Sequence, residues 1–188
     1  MADSASSDEV YWVDPTHRGV FPLNGFRISR SLRRAINRAD YDVRIDSDFK
    51  RTVDNCANRK ETWINAEIFE LYSELHRLGF AHSVEVWRED HMIGGVYGVA
   101  LCAGFFGESM FSTATNASKI ALAYLVHRLK AGDFQVFDTQ FITPHLASLG
   151  AIEIPRDVYH KRLFPAVTAT ADFTSPKTPT PANLIAGI

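Results

Sequence analysis

The sequence predicts a mixed α/β (α+β) fold, a sheet flanked by helices, and three observations lead to this class. Three strand segments follow one another within residues 80–111, the first two joined by the short polar turn Arg88–His91, which is typical of neighbouring antiparallel strands. A helical repeat over Ala117–Ala131 then leads to another strand at Phe134–Thr139, and such a crossover pairs its two strands in parallel. The remaining long helices precede the strands, which excludes a doubly wound fold.

Capping residues and periodicity define the other elements. Leu32 and Ile36 lie one helical turn apart, and either Ser29 or Ser31 can cap their helix. Asn65 precedes a longer apolar helical repeat that Gly79 ends. In chain order, the predicted elements are a strand and turn at 11–19, helix Ser29–Arg38, strand Tyr41–Ile45, a helix capped by Asp46 running to about Cys56, the Asn65–Gly79 helix, strands Phe80–Trp87, Met92–Ala103 and Phe105–Phe111, helix Ala117–Ala131, strand Phe134–Thr139, and short helices Pro144–Leu149 and Asp157–Leu163.

Length and composition indicate one soluble domain. The 188 residues carry a net charge of −2, so any nucleic-acid contact requires a local basic patch. We expect a disordered segment at 1–9, one domain over 10–164, and a Pro/Thr/Ala-rich tail at 165–188 that is disordered or loosely docked from 167 onward. Cys56 and Cys102 match no metal spacing and are predicted to be buried free thiols. No signal or membrane-spanning segment is present, so we expect a cytoplasmic monomer.

A glycine-rich stretch, Gly94–Lys119, contains the most informative carboxylate. Gly94, Gly95 and Gly98 mark places where another backbone or a ligand approaches closely. Glu108 lies among apolar residues, and a buried charge requires a partner. A structural salt bridge and a ligand-binding role are equally consistent with this pattern.

Arginines cluster between residues 27 and 38. They are Arg27, Arg30, Arg33, Arg34 and Arg38. A solvated helix face and a phosphate-binding surface both explain this cluster, which is the most basic region of the chain. Lys50, Arg51, Arg59 and Lys60 add positive charge further along the sequence.

Asp138 and Gln140 lie two residues apart at the end of a predicted strand, so both side chains should leave the same face. A carboxylate can hold an attacking amine and an amide can donate to an oxyanion, which suits acyl transfer. Loop-capping hydrogen bonds are the alternative. The crossover indicates an acetyltransferase-like (GNAT-like) architecture, yet residues 113–119 contain no glycine to hold the pyrophosphate of coenzyme A.

Several motifs resemble the leucyl/phenylalanyl-tRNA–protein transferase family. They are Trp12-x-Asp14-Pro15 with Arg18, ISRSLRR, TWI at 62–64, HSVEVW, GGVYGV, FFGESMFS, NASKIAL, Asp138-x-Gln140 and HLASLGAIEIPR. The resemblance covers 10–163. It implies transfer of Leu or Phe from aminoacyl-tRNA to proteins bearing N-terminal Arg or Lys, which marks them for degradation by the N-end rule, without a cofactor or metal.

The resemblance also implies roles for individual residues. Asp138 and Gln140 act on the α-amine, Glu108 holds the cationic end of the acceptor, and Trp12 and Trp63 stack on the 3′-terminal adenosine. The pocket for the transferred side chain is lined by Val96, Phe105, Met110, Leu125 and Phe137. By charge, we expect the five arginines of 27–38 to contact the tRNA backbone.

Two departures and two rival functions complete the prediction. Family members carry a small N-terminal domain that we expect to be largely absent here, and the family's Asp-Cys-Gln becomes Asp-Thr-Gln. A coenzyme A-dependent N-acetyltransferase would fit the order of elements. A non-catalytic protein that binds tRNA or degrons would keep the tryptophans and Glu108 without needing both Asp138 and Gln140.

Overall fold

The computed structural model describes residues 13–59 and 62–188. In chain order, the elements are β1 His17–Val20, α1 Arg30–Arg38, β2 Asp42–Ile45, α2 Phe49–Ala57, α3 Ala66–Arg77, β3 Ala81–Arg88, β4 His91–Leu101, β5 Gly104–Ser112, α4 Ala117–Ala131, β6 Val136–Gln140, α5 Pro144–Ser148, β7 Ile152–Pro155, α6 Arg156–Ala166 and α7 Pro181–Gly187. The predicted mixed fold, a sheet flanked by helices, is confirmed.

The seven strands form one sheet in the order β2-β3-β4-β5-β6-β1-β7. All neighbours are antiparallel except β5 and β6, which pair in parallel across the α4 crossover as predicted. This parallel pairing is short, since it joins 104–106 only to 136–138, whereas β5 continues through Ser112. Beyond Asp138 the two strands are no longer paired with each other, and we call this unpaired stretch the opening between β5 and β6.

Helices cover the two faces of the sheet differently. On one face α4 packs against β3, β4 and β5, with α1 and α7 packed against α4. On the other face α2 and α3 cover β3 to β5, and α6 covers β1, β6 and β7. Strand alternation divides the core accordingly, because Val96 joins the α4 cluster while its neighbour Tyr97 joins the α2–α3 cluster.

Local capping explains most helix boundaries. The side chains of Ser29 and Asn65 accept hydrogen bonds from the third backbone N–H beyond each, as the sequence predicts. The predicted cap of α2 was wrong, because Asp48 rather than Asp46 accepts from the Arg51 N–H. Asp46 instead accepts hydrogen bonds from the Ser83 backbone and the His82 ring, which makes His82 a satisfied strand residue, as predicted.

Three further expectations need correction. The predicted turn around Arg18 and Gly19 is strand β1, which β6 and β7 hold in the sheet. Cys102 is exposed in the tight turn between β4 and β5, although Cys56 is buried as predicted. Strand β7, which pairs with β1, was not predicted.

The C-terminal tail is an ordered part of the fold, contrary to the prediction that 167–188 is disordered or loosely docked. Leu184 of α7 is fully buried, and Phe173 is 4% exposed. The Phe173 ring stacks on Phe105 at 5.5 Å, and the Arg128 guanidinium donates to the Phe173 carbonyl at 2.6 Å. The tail therefore completes the core on the α4 side.

Candidate functional site

Two of the predicted site residues, Glu108 and Asp138, lie on the face opposite α4, between the helices α2 and α3 and the helix α6. Phe106 pairs with Asp138 and lies on the opposite face from Phe105, whose ring packs in the α4 cluster. Asp138 and Arg18 are close enough to Glu108 to shift its pKa electrostatically. The structure therefore brings Glu108 and Asp138 into one site at the opening between β5 and β6.

Asp138 is buried and its carboxylate accepts four hydrogen bonds. Arg18 Nε donates to both oxygens, at 2.9 and 3.2 Å, and the Gln140 backbone N–H donates to Oδ1 at 2.5 Å. The Tyr159 hydroxyl donates to Oδ2 in a short hydrogen bond. Burial and the Asp138 charge raise the pKa of Tyr159, so this phenol stays protonated as a donor.

A β-bulge modifies the end of β6. On β1, Gly19 and Val20 are adjacent, yet their partners Gln140 and Asp138 are two residues apart, so Thr139 is the additional residue. Gln140 adopts a left-handed conformation with φ of 59°. The regular alternation expected for Asp138 and Gln140 therefore does not extend to Gln140, and the two residues are joined instead by an Asx-type turn.

Gly19 permits this arrangement. A Cβ at Gly19 would lie 2.6 Å from the Phe141 carbonyl carbon, which is closer than packed atoms approach. The chain beyond Gln140 can thus fold directly against β1.

Glu108 occupies a second bulge, between β4 and β5. Tyr97 pairs with Ser109 and Gly98 pairs with Gly107, which leaves Glu108 as the additional residue. A Cβ at Gly98 would overlap the Phe106 carbonyl oxygen, so the glycine predicted to mark close backbone approach does so. Burial raises the pKa of Glu108 to about 7, the nearby Asp138 charge adds to this rise, and a hydrogen bond with Tyr72 and the Arg18 charge oppose it.

An aromatic group extends from Glu108 toward α3. Tyr72 contacts Trp63 and Tyr97 edge-to-face, with ring centroids 6.3 and 5.3 Å away. The Tyr97 hydroxyl is buried and has no hydrogen-bond partner among the described residues. Glu108 thus lies in a largely aromatic environment that raises its affinity for a proton or another cation.

Glu85 shows what a purely structural buried carboxylate looks like in this fold. It is fully buried and accepts from the Asp48 backbone at 2.8 Å, the Ser83 hydroxyl at 2.8 Å and the Trp87 indole at 2.9 Å. Within the described residues, no ion pair to a Lys or Arg involves Glu108. The salt-bridge alternative for Glu108 is therefore not observed.

The residues predicted to line the side-chain pocket form one apolar cluster on the α4 side. Val96, Phe105, Leu125 and Phe137 are buried in it, and Met110 packs against it. The ring of Phe105 lies 5.6 Å from that of Phe137. These residues thus lie on the opposite face of the sheet from Asp138.

The tryptophans and the arginines complete the set of predicted residues. Trp12 lies outside the described residues, and Trp63 is partly buried. The five arginines of 27–38 are all exposed on or just before α1, and none forms an ion pair with a described residue. We call them the α1 arginine surface.

Three residues of the site, Tyr159, Tyr72 and Tyr97, were not predicted from the sequence. Arg18 belongs to a recognised motif, but no role was predicted for it. A buried carboxylate requires a partner at Asp138 as it does at Glu108, and for Asp138 this requirement indicates a cation such as Arg18.

The described residues contain no group of three His, Cys, Asp or Glu side chains that could hold a metal ion. Over the same part of the chain, no helix is long and apolar enough to cross a membrane.

Comparison with known proteins gives consistent matches. The family model of leucyl/phenylalanyl-tRNA protein transferase matches residues 20–164. The transferase of that name from Cereibacter sphaeroides is 61% identical over 93% of this chain and 81% of the relative. The one from Ruegeria sp. is 58% identical over 98% of this chain and 88% of the relative. A solved structure, L-PGS from Bacillus licheniformis, is similar with a TM-score of 0.45 and 14% identity over 71% of this chain and 50% of that chain.

Proposed function

Because the chain belongs to the leucyl/phenylalanyl-tRNA–protein transferase family, it is an aminoacyltransferase, and we propose that it moves Leu or Phe from tRNA to proteins bearing N-terminal Arg or Lys. The ester of aminoacyl-tRNA is already activated. The enzyme then has to orient the α-amine, assist its deprotonation and stabilise the developing oxyanion.

The observation that carries the acceptor assignment is the environment of Glu108. Its carboxylate lies in an aromatic environment beside Asp138, without an ion pair to a described Lys or Arg. A guanidinium or ammonium group at the acceptor's N-terminal residue supplies the missing counter-charge. A neutral N-terminal residue would leave Glu108 without a cationic partner, so this environment favours acceptors that begin with Arg or Lys.

At the reacting ester, we propose that Gln140 meets the substrate, because Asp138 is only 2% exposed while Gln140 is partly exposed. The Gln140 amide can accept from the attacking amine and donate to the oxyanion. The amine adds to the carbonyl carbon to give the oxyanion. The oxyanion then collapses as the bond to the tRNA 3′-oxygen breaks, and that oxygen leaves as a hydroxyl carrying the proton that the amine loses. Trp63 and Trp12 stack on the terminal adenosine. The Leu or Phe side chain is received by the five predicted pocket residues, Val96, Phe105, Met110, Leu125 and Phe137.

A labelled-donor assay tests this function. We expect leucine from Leu-tRNA to enter a peptide beginning with Arg, and not the same peptide carrying an N-acetyl group, since the free α-amine is the nucleophile. Gln140→Ala should lower kcat by about 10²–10³-fold with little change in tRNA affinity, because it removes an oxyanion donor.

Acetyl-CoA is the matched alternative donor. Acetyl transfer to the peptide without leucine transfer would overturn the proposal in favour of an N-acetyltransferase. Tight binding of tRNA and peptide with no product would indicate a non-catalytic binding protein.

A further inference from the structure

The carboxylate of Asp138 is held from three separate elements. Arg18 reaches it from β1, Tyr159 from α6, and the Gln140 N–H from the turn that follows it on β6. Arg18 also lies over the Tyr159 ring, with its guanidinium carbon 5.0 Å from the ring centroid. The two side chains that hold Asp138 therefore hold each other as well.

These contacts do not suit a general base. The Asp138 oxygens already accept four hydrogen bonds, two of them from the Arg18 guanidinium, and the residue is only 2% exposed. An approaching amine would have to displace one of these donors. Asp138 instead fixes the backbone of Gln140, a non-glycine residue whose left-handed φ of 59° is an unfavourable conformation without such restraint.

We propose that Arg18 and Tyr159 are positioning residues of the aminoacyl-transfer site, acting through Asp138 to fix the Gln140 turn and so the place where the Gln140 amide meets the reacting ester. This inference rests on the proposed function, because the gain from fixing Gln140 arises when a substrate is aligned against it. It assigns Asp138 itself a positioning role.

Tyr159→Phe is the sharpest test, since it removes only the hydroxyl and keeps the ring beneath Arg18. We expect kcat for leucine transfer to fall by at least about tenfold, while KM for Leu-tRNA and for the peptide changes by less than about threefold. A small misplacement of the Gln140 amide lowers the rate of the chemical step and has little effect on the affinity for either substrate. Tyr124→Phe is the control: this buried tyrosine hydrogen-bonds Tyr41 on the α4 side and is remote from Asp138. It should keep the wild-type kcat.

Hydrogen exchange supplies a readout that needs no activity. In Tyr159→Phe, peptides spanning 136–142 should exchange faster than in the wild type, whereas Tyr124→Phe should leave them unchanged. If Tyr159→Phe does not fold, Arg18→Lys, which keeps the charge but loses the contact to both oxygens, takes its place with the same expectations.

The outcomes separate the two proposals. Failure of the wild-type protein to transfer leucine would contradict the proposed function. The hydrogen-exchange measurement would then still decide whether Tyr159 fixes the Gln140 turn. An unchanged kcat, or unchanged exchange over 136–142, in the folded variant would overturn the positioning role. A kcat loss matched by Tyr124→Phe would show a general loss of stability and overturn it too.

Discussion

At the scale of single residues, two carboxylates on one face of the sheet have opposite environments. Asp138 faces a guanidinium and a phenol, whereas Glu108 has one phenol and the charge of Asp138 nearby. The Asp138 carboxylate is therefore satisfied by hydrogen bonds, whereas burial raises the pKa of Glu108 to about 7, so that Glu108 changes its protonation state near neutral pH. This difference follows from their partners, since both lie at β-bulges beside the same opening.

The pH dependence of acceptor use should report on Glu108. Because its pKa is raised to about 7, the anionic form that attracts a cationic acceptor is depleted below neutrality. We expect KM for an Arg-terminated peptide to rise up to about tenfold on going one pH unit below that pKa. Glu108→Gln should give a raised KM that does not depend on pH through this residue. The α-amine of the peptide titrates equally in both assays, so its effect cancels when the KM values of the two proteins are compared at each pH.

Stability supplies an independent check of the same residue. Between the ordinary pKa of 4.5 and about 7, the folded state binds more protons at Glu108 than the unfolded state does. The free energy of unfolding of the wild type should therefore fall with rising pH in this window relative to Glu108→Gln. Glu74→Gln, which removes an exposed carboxylate on α3, is the control. Parallel profiles for wild type and Glu108→Gln would contradict the assignment.

At the scale of elements, α1 presents a positively charged surface and contributes no side chain to the contacts of Asp138 or Glu108 described above. Leu32 and Ile36 bury one side of the helix, and the arginines occupy the exposed side. None of these arginines forms an ion pair with a described residue, so their charge is available to an external polyanion.

Salt dependence tests the α1 arginine surface. Replacing Arg30, Arg33 and Arg34 by Ala should weaken tRNA binding and reduce the slope of log K against log salt by about 2–3, since about 0.7–0.9 counterions are released per phosphate contact. Arg77→Ala, which removes an exposed arginine already paired with Glu74, should leave the slope unchanged. An unaltered slope in the triple variant would remove this surface from the tRNA interface.

Elements were predictable from the sequence where their causes are local. The caps Ser29 and Asn65 act within one turn, so α1 and α3 begin where expected. The cap of α2 failed because Asp46 is engaged by β3, which lies far along the chain. Strand β7 likewise depends on pairing with β1, which no local pattern reports.

At the scale of the whole molecule, the site was only partly predictable for the same reason. Glu108, Asp138 and Gln140 stand out by residue type and strand position. Their partners come from distant segments, since Tyr159 reaches Asp138 across 21 residues and Arg18 across 120. Long-range contacts also anchor the tail, whose polar composition gave no sign that Phe173 would be buried.

Replacing Phe173 tests how much the tail stabilises the whole fold. Its ring stacks on Phe105 at 5.5 Å and on His82 at 4.2 Å, and Arg128 lies over it. We expect Phe173→Ala to lower the free energy of unfolding by about 3–5 kcal/mol, because it leaves a cavity within the aromatic cluster. Urea denaturation followed by circular dichroism measures this loss.

The control is Phe164→Ala on α6, where the ring is 75% exposed and the same substitution creates no cavity. It should change the free energy of unfolding by less than about 0.5 kcal/mol. Because Phe105 is one of the residues proposed to receive the transferred side chain, Phe173→Ala should also raise KM for Leu-tRNA. Equal stability losses in the two variants would mean that the tail adds nothing specific to the core, and its burial would then have no energetic consequence.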